Sequence, residues 1–85
     1  MKLWHRASFD LPRMAVEDYE ESGVIYEYRV SAPHLVLLDD GSMCVAIYEE
    51  DNSLNFHAWV DLINRSTLEN VTHWTELPRP PKEAK

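Results

Sequence analysis

The sequence predicts an α+β fold that is mostly antiparallel β, a small single-domain sheet with at most one short helix. Three observations lead there. An Asp40-Gly41 pair sits between two apolar runs, residues 24–30 alternate with period two, and 85 residues leave room for only one domain. That domain is expected to span residues 1–81, with 82–85 as a frayed C-terminal tail.

The elements follow in order. Leu3, Trp4, Phe9 and Leu11 make an apolar opening that ends at Pro12, whose ring holds the preceding residue extended, as in a short edge strand or an anchored arm. Residues 13–22 mix Ala15, Val16 and Tyr19 with Glu17, Asp18, Glu20 and Glu21, a pattern compatible with a short helix or an acidic loop closed by Gly23. In residues 24–30, Val24, Tyr26, Tyr28 and Val30 share one side and Glu27 and Arg29 the other, which is a strand. Residues 35–38 and 43–48 flank the Asp40-Gly41 turn and form a hairpin, because Gly and Asp tolerate the positive φ of such turns. Asp51-Asn52-Ser53 marks another turn. Residues 56–63, with Trp59, Val60, Leu62 and Ile63, extend the sheet or make a short helix. Residues 71–77 form a last strand, which Pro78, Pro80 and Pro81 prevent from continuing.

The net charge of −7 is unevenly placed. Between residues 17 and 61 there are eleven acids and one base, Arg29, whereas both ends of the chain are mildly basic. A protein that binds a phosphate backbone needs cations to replace its counterions, so direct nucleic-acid binding is disfavoured. An acidic surface instead attracts basic proteins and speeds their association. It also serves solubility, with no partner at all. No apolar run approaches the roughly 18 residues of a membrane span, and no signal-peptide core is visible. The single cysteine, Cys44, permits no intrachain disulfide. A cytoplasmic setting is expected.

Candidate chemistry is sparse. His5, His34, His57 and His73 share no ligand spacing within one element, and no metal or other cofactor is implied. Asp39/Asp40 and Glu49/Glu50 are acid pairs in turn-flanking places, Cys44 sits mid-strand, and Gly23 and Gly41 are too far apart for a phosphate loop. The chain reads as non-enzymatic, the competing enzyme or metal reading resting on His57 and His73 brought together with acids. Trp4, Trp59 and Trp74 read chiefly as core, with Tyr26, Tyr28 and Tyr48 available to an interface.

The end of the chain, Val71-Thr72-His73-Trp74-Thr75-Glu76-Leu77-Pro78-Arg79-Pro80-Pro81, resembles the closing V-T-H-W-x-x-L-P-x-P-P motif of a domain-of-unknown-function family of small proteins from tailed phages and bacterial prophages. The Trp4 to Leu11-Pro12 opening and the stretch from Val36 through Asp40-Gly41 to Trp59 are similar to that family's start and central hairpin. Residues 13–34 depart from it, since the family has only a short acidic turn there. The resemblance implies a phage or prophage origin and a bacterial host cell, and no reaction. Physically, the motif reads as a clasp in which Trp74 and Leu77 pack the chain's end beside Trp4 and Pro12, with Trp59, His73 and Pro78 as its other structural residues. The resulting expectation is an accessory protein that binds and inhibits or redirects a bacterial host protein, in host takeover or anti-defence. Glu20, Glu21, Tyr26, Tyr28, Glu49, Glu50 and Asp51 are its expected contact surface. A DNA mimic that competes for a nucleic-acid-handling protein and a self-associating structural subunit, such as a homodimer paired through a sheet edge, are the alternatives.

Overall fold

The computed structural model describes residues 4–52 and 54–78. Among them are ten strands and no helix: β1 (His5–Arg6), β2 (Met14–Val16), β3 (Tyr19–Glu21), β4 (Val24–Tyr26), β5 (Tyr28–Ser31), β6 (His34–Leu38), β7 (Met43–Asp51), β8 (Phe56–Asp61), β9 (Thr67–Leu68) and β10 (Val71–Glu76). All pairings are antiparallel. The fold is therefore all-β, which corrects the α+β expectation. The tail 82–85 and the prolines at 80 and 81 lie outside the described residues.

The missing helix is explained by residues 14–31. Ser22 and Gly23 have φ of 55° and 79°, the two left-handed residues of a type I′ turn, whose twist matches that of a hairpin. Gly23 thus reverses a strand and does not close a helix. Met14 pairs Ser31, Val16 pairs Arg29, Tyr19 pairs Tyr26 and Glu21 pairs Val24, so β2–β5 and β3–β4 keep one register throughout. A bond from the Glu17 N–H to the Tyr28 carbonyl bridges the gap between them. Residues 14–31 are a single long hairpin, and the expected strand at 24–30 is its second arm, interrupted at Glu27.

β7 organises the rest. Along one side it pairs β8 from Ala46 to Asp51. Its other side is shared in succession, by β6 opposite residues 43–46 and by β5 opposite residues 49–51. Between β5 and β6, Ala32-Pro33 shifts the register by one residue, because proline cannot donate to the ladder. The Tyr48 N–H left facing that break donates to Ser31 Oγ at 2.9 Å, and the Ser31 hydroxyl donates to the Ala32 carbonyl at 2.8 Å. The β6–β7 hairpin expected at Asp40-Gly41 is present. Gly41 takes φ 90°, and Asp40 Oδ1 accepts from the Ser42 N–H and hydroxyl. Residues 56–61 form a strand, resolving the choice between strand and helix there.

Strand order β1-β10-β6-β7-β8-β9 puts two strands between β8 and β10, which in a flat sheet means about 14 Å from one to the other. The rings of Trp59 and Trp74 on those strands are nevertheless 6.4 Å apart. The two indoles converge over an inward-curled face, where Val36, Ala46, Tyr48, Trp59 and Trp74 make the core and Ala7, Met14, Leu38, Cys44, Leu68 and Val71 pack against it.

The opening segment crosses this face. The Ala7 N–H donates to the Thr72 carbonyl and Trp74 Nε1–H to the Asp10 carbonyl at 2.9 Å, with Pro12 buried just beyond. The opening segment and β10 are thus fastened together, but through partners other than the Trp4, Leu77 and Pro78 of the clasp reading. Trp4 is 36% exposed and Leu77 37%, and Pro78 is exposed. The ring stacked on Trp74 belongs to His5, at 4.2 Å.

Candidate protein-interaction surface

The long hairpin outruns the sheet that supports it. Tyr28 is opposite Asp51, the last residue of β7, so the arm from Glu27 to the Ser22-Gly23 turn has no further strand beneath it among the described residues. Its base is tied down by several bonds. The Tyr19 hydroxyl donates to Asp51 Oδ1 at 3.1 Å, the Asn52 N–H to the Glu27 carbonyl at 3.1 Å, and Asn52 Nδ2–H to Glu27 Oε1 at 3.1 Å. Tyr19 and Tyr26, directly paired, bring their rings to 5.4 Å. Beyond this base Glu20, Glu21, Val24 and Ile25 are all exposed, Ile25 at 70%.

The carboxylates gather where the hairpin leaves the sheet. Arg29 Nη2 is 2.7 Å from Glu27 Oε2, and its guanidinium also feels Glu50 and Asp18, so these acids hold its charge more firmly than usual, Glu27 most of all through its hydrogen bond. Burial first, and then the Glu49 carboxylate, push the Tyr28 phenol up, with Glu17 adding to the effect. Glu49 in turn lies 3.8 Å from Arg65. Glu17, Asp18, Glu27, Glu49, Glu50 and Asp51 therefore converge on one end of the molecule, although Glu17 and Asp51 lie far apart in sequence.

The expected contact residues separate into two groups. Glu20 and Glu21 are exposed on the hairpin. Glu49, Glu50 and Asp51 are half-buried along β7, and Tyr26 and Tyr28 are half-buried against Tyr19 and Glu49. The two tyrosines thus brace the hairpin and do not form an exposed aromatic patch. The apolar side chains that do face solvent there are Val24 and Ile25 on the arm and Val16 at its foot, of which the sequence reading took Val24 as an ordinary strand residue and Val16 as part of a short helix or acidic loop. Their exposure was legible only from the hairpin's overhang.

The other candidate residues sit elsewhere. Trp59 is buried against Tyr48, and His73 is half-buried beside the Thr72 hydroxyl, at 3.0 Å. His57 lies 3.3 Å from the Tyr48 hydroxyl, and strands β6 and β7 separate it from His73. His5 and His34 are the pair that the fold brings to one place, on either side of Trp74, with His34 edge-on at 5.1 Å. His34 Nδ1–H donates to the Ala32 carbonyl at 2.6 Å, which a carbonyl can only accept, so the tautomer is fixed. Burial and the adjacent Asp61 push the Cys44 thiol up, away from the thiolate a nucleophile needs. Among the described residues no group of three or more His, Cys, Asp or Glu side chains is placed to hold a metal ion, and no helix is long and apolar enough to cross a membrane. In comparisons with models of known protein families, with curated proteins and with solved structures, nothing matches this chain.

Proposed function

We propose that the chain is a non-enzymatic interaction protein, an accessory protein of the tailed-phage and prophage kind, that binds a basic surface of a bacterial host protein and blocks or redirects it. The observation that carries this reading is the overhanging hairpin, which presents Glu20 and Glu21 with exposed Val16, Val24 and Ile25 beside the converging acids at its base. Interfaces combine desolvated apolar contacts with charges that set orientation and encounter rate, and this end of the molecule offers both. The terminal motif's phage-family resemblance supplies the setting, a bacterial cell.

The test is capture from bacterial lysate at low and high salt, beside a Glu20→Lys/Glu21→Lys variant and an Ile25→Ser variant. A partner held by the parent chain, weakened by salt and lost with either variant, is the expected result. A partner retained by both variants would move the contact surface away from the hairpin. Competition between this chain and duplex DNA for the captured partner would identify a nucleic-acid-handling target.

A further inference from the structure

The outer edge of the long hairpin, β2 through β3, pairs with no strand among the described residues. Because the Glu17 N–H points inward to Tyr28, antiparallel alternation turns the N–H and C=O groups of Val16, Asp18 and Glu20 outward, toward that open edge. Such a row is a template for another strand. Its charge restricts what that strand can be. A second copy laid antiparallel about a two-fold axis at Tyr19 would set Glu17 against Glu21 and Asp18 against Glu20, four like-charge oppositions across the dimer, each destabilising. A strand carrying Lys or Arg would meet those same four carboxylates with opposite charge on both faces of the ribbon.

We infer that the β2–β3 edge is a strand-addition site for an extended, Lys- and Arg-rich segment of a partner protein, and that its acids oppose pairing with a second copy of this chain about Tyr19. The inference rests on the interaction reading above and adds to it the mode of docking. Main-chain bonds to Val16, Asp18 and Glu20 supply a register, and Glu17, Asp18, Glu20 and Glu21 supply the selection for basic side chains.

The probe is a short unstructured peptide of alternating Lys and Thr, added to the full chain and followed by amide exchange and chemical shift. A second peptide of the same sequence, N-methylated at every backbone nitrogen, keeps every charge but has no N–H to donate to the edge from either side. The expected result is salt-sensitive binding of the first peptide, slowed exchange at Val16, Asp18 and Glu20, affinity at least about tenfold weaker for the methylated peptide, and a similar loss in a Glu17→Lys/Asp18→Lys variant. Equal binding of both peptides would overturn strand addition and leave the acidic interaction surface standing. No binding of either would overturn both readings. Slowed exchange at the same amides without peptide, in a protein of dimeric mass, would overturn the preference for a basic partner over a second copy.

Discussion

Trp74 joins distant parts of the molecule. It touches His5, His34 and Trp59 and donates to the Asp10 carbonyl across 64 positions of sequence. Trp74→Ala is expected to lower unfolding stability by about 3–5 kcal/mol, and Trp74→Phe, which loses the N–H but keeps an aromatic ring, by less. Urea denaturation of the two variants measures the difference. The tryptophan was legible as core from its motif, whereas its partners were not, because a stacked histidine and a carbonyl far away in sequence leave no local pattern. A pH effect belongs to this scale too. Burial pushes the Cys44 thiol and the Tyr48 phenol up, with Asp61 adding to the first and Glu50 to the second. Their contribution to stability is complete below their unfolded values of 9.0 and 10.0 and is lost as pH rises through the higher folded ones. Thermal unfolding temperature should therefore fall above about pH 9, with the early part of the fall reduced in Cys44→Ala and the later part reduced in Tyr48→Phe.

At the scale of elements, the turns decided what could be read. Asp40-Gly41 lies between two plainly apolar runs, so the β6–β7 hairpin was visible. Ser22-Gly23 lies between an acidic stretch and an apolar one, and the acids at 17, 18, 20 and 21 masked the strand that precedes it. Those acids occupy an overhanging ribbon with no core beneath, where alternation of apolar and polar residues has nothing to follow. Placing Cβ at Gly23 meets no atom within 4 Å, so a substitution there acts through its φ of 79° alone. Gly23→Ala is expected to cost about 1 kcal/mol or more, confined to the hairpin tip. Amide exchange should then quicken in β3 and β4 while the amides of β6, β7 and β8 keep their protection.

For the molecule as a whole, the charge distribution was readable and its geometry was not. The acids at 17, 18, 20, 21, 27 and 49–51 gather at one end of the protein, whereas Asp39 and Asp40 lie at the turn at the other end of β7, and only pairing showed that Glu49 and Glu50 help to seat the hairpin while Glu20 and Glu21 stand clear of it. Reversal of the two pairs should therefore differ. Glu20→Lys/Glu21→Lys is expected to change stability by no more than about 0.5 kcal/mol. Glu49→Lys/Glu50→Lys would set new cations beside Arg65 and Arg29 and remove the carboxylate next to Tyr28, so its urea midpoint should drop clearly below that of the other pair. The radius of gyration, 14.7 Å, exceeds the roughly 12 Å of a close-packed chain of this length, in keeping with a sheet that carries an overhanging arm.

The meeting of Trp59 and Trp74 over the curled face has an optical consequence. Two indoles 6.4 Å apart with planes inclined by 41° are close enough for their electronic transitions to couple. The folded protein should therefore carry a paired positive and negative band in its ultraviolet circular dichroism, a signature absent from Trp74→Phe even while that variant remains folded. Since one indole comes from β8 and the other from the strand bound to the opening segment, the band would report the closing of the sheet separately from the formation of its strands, without any added label.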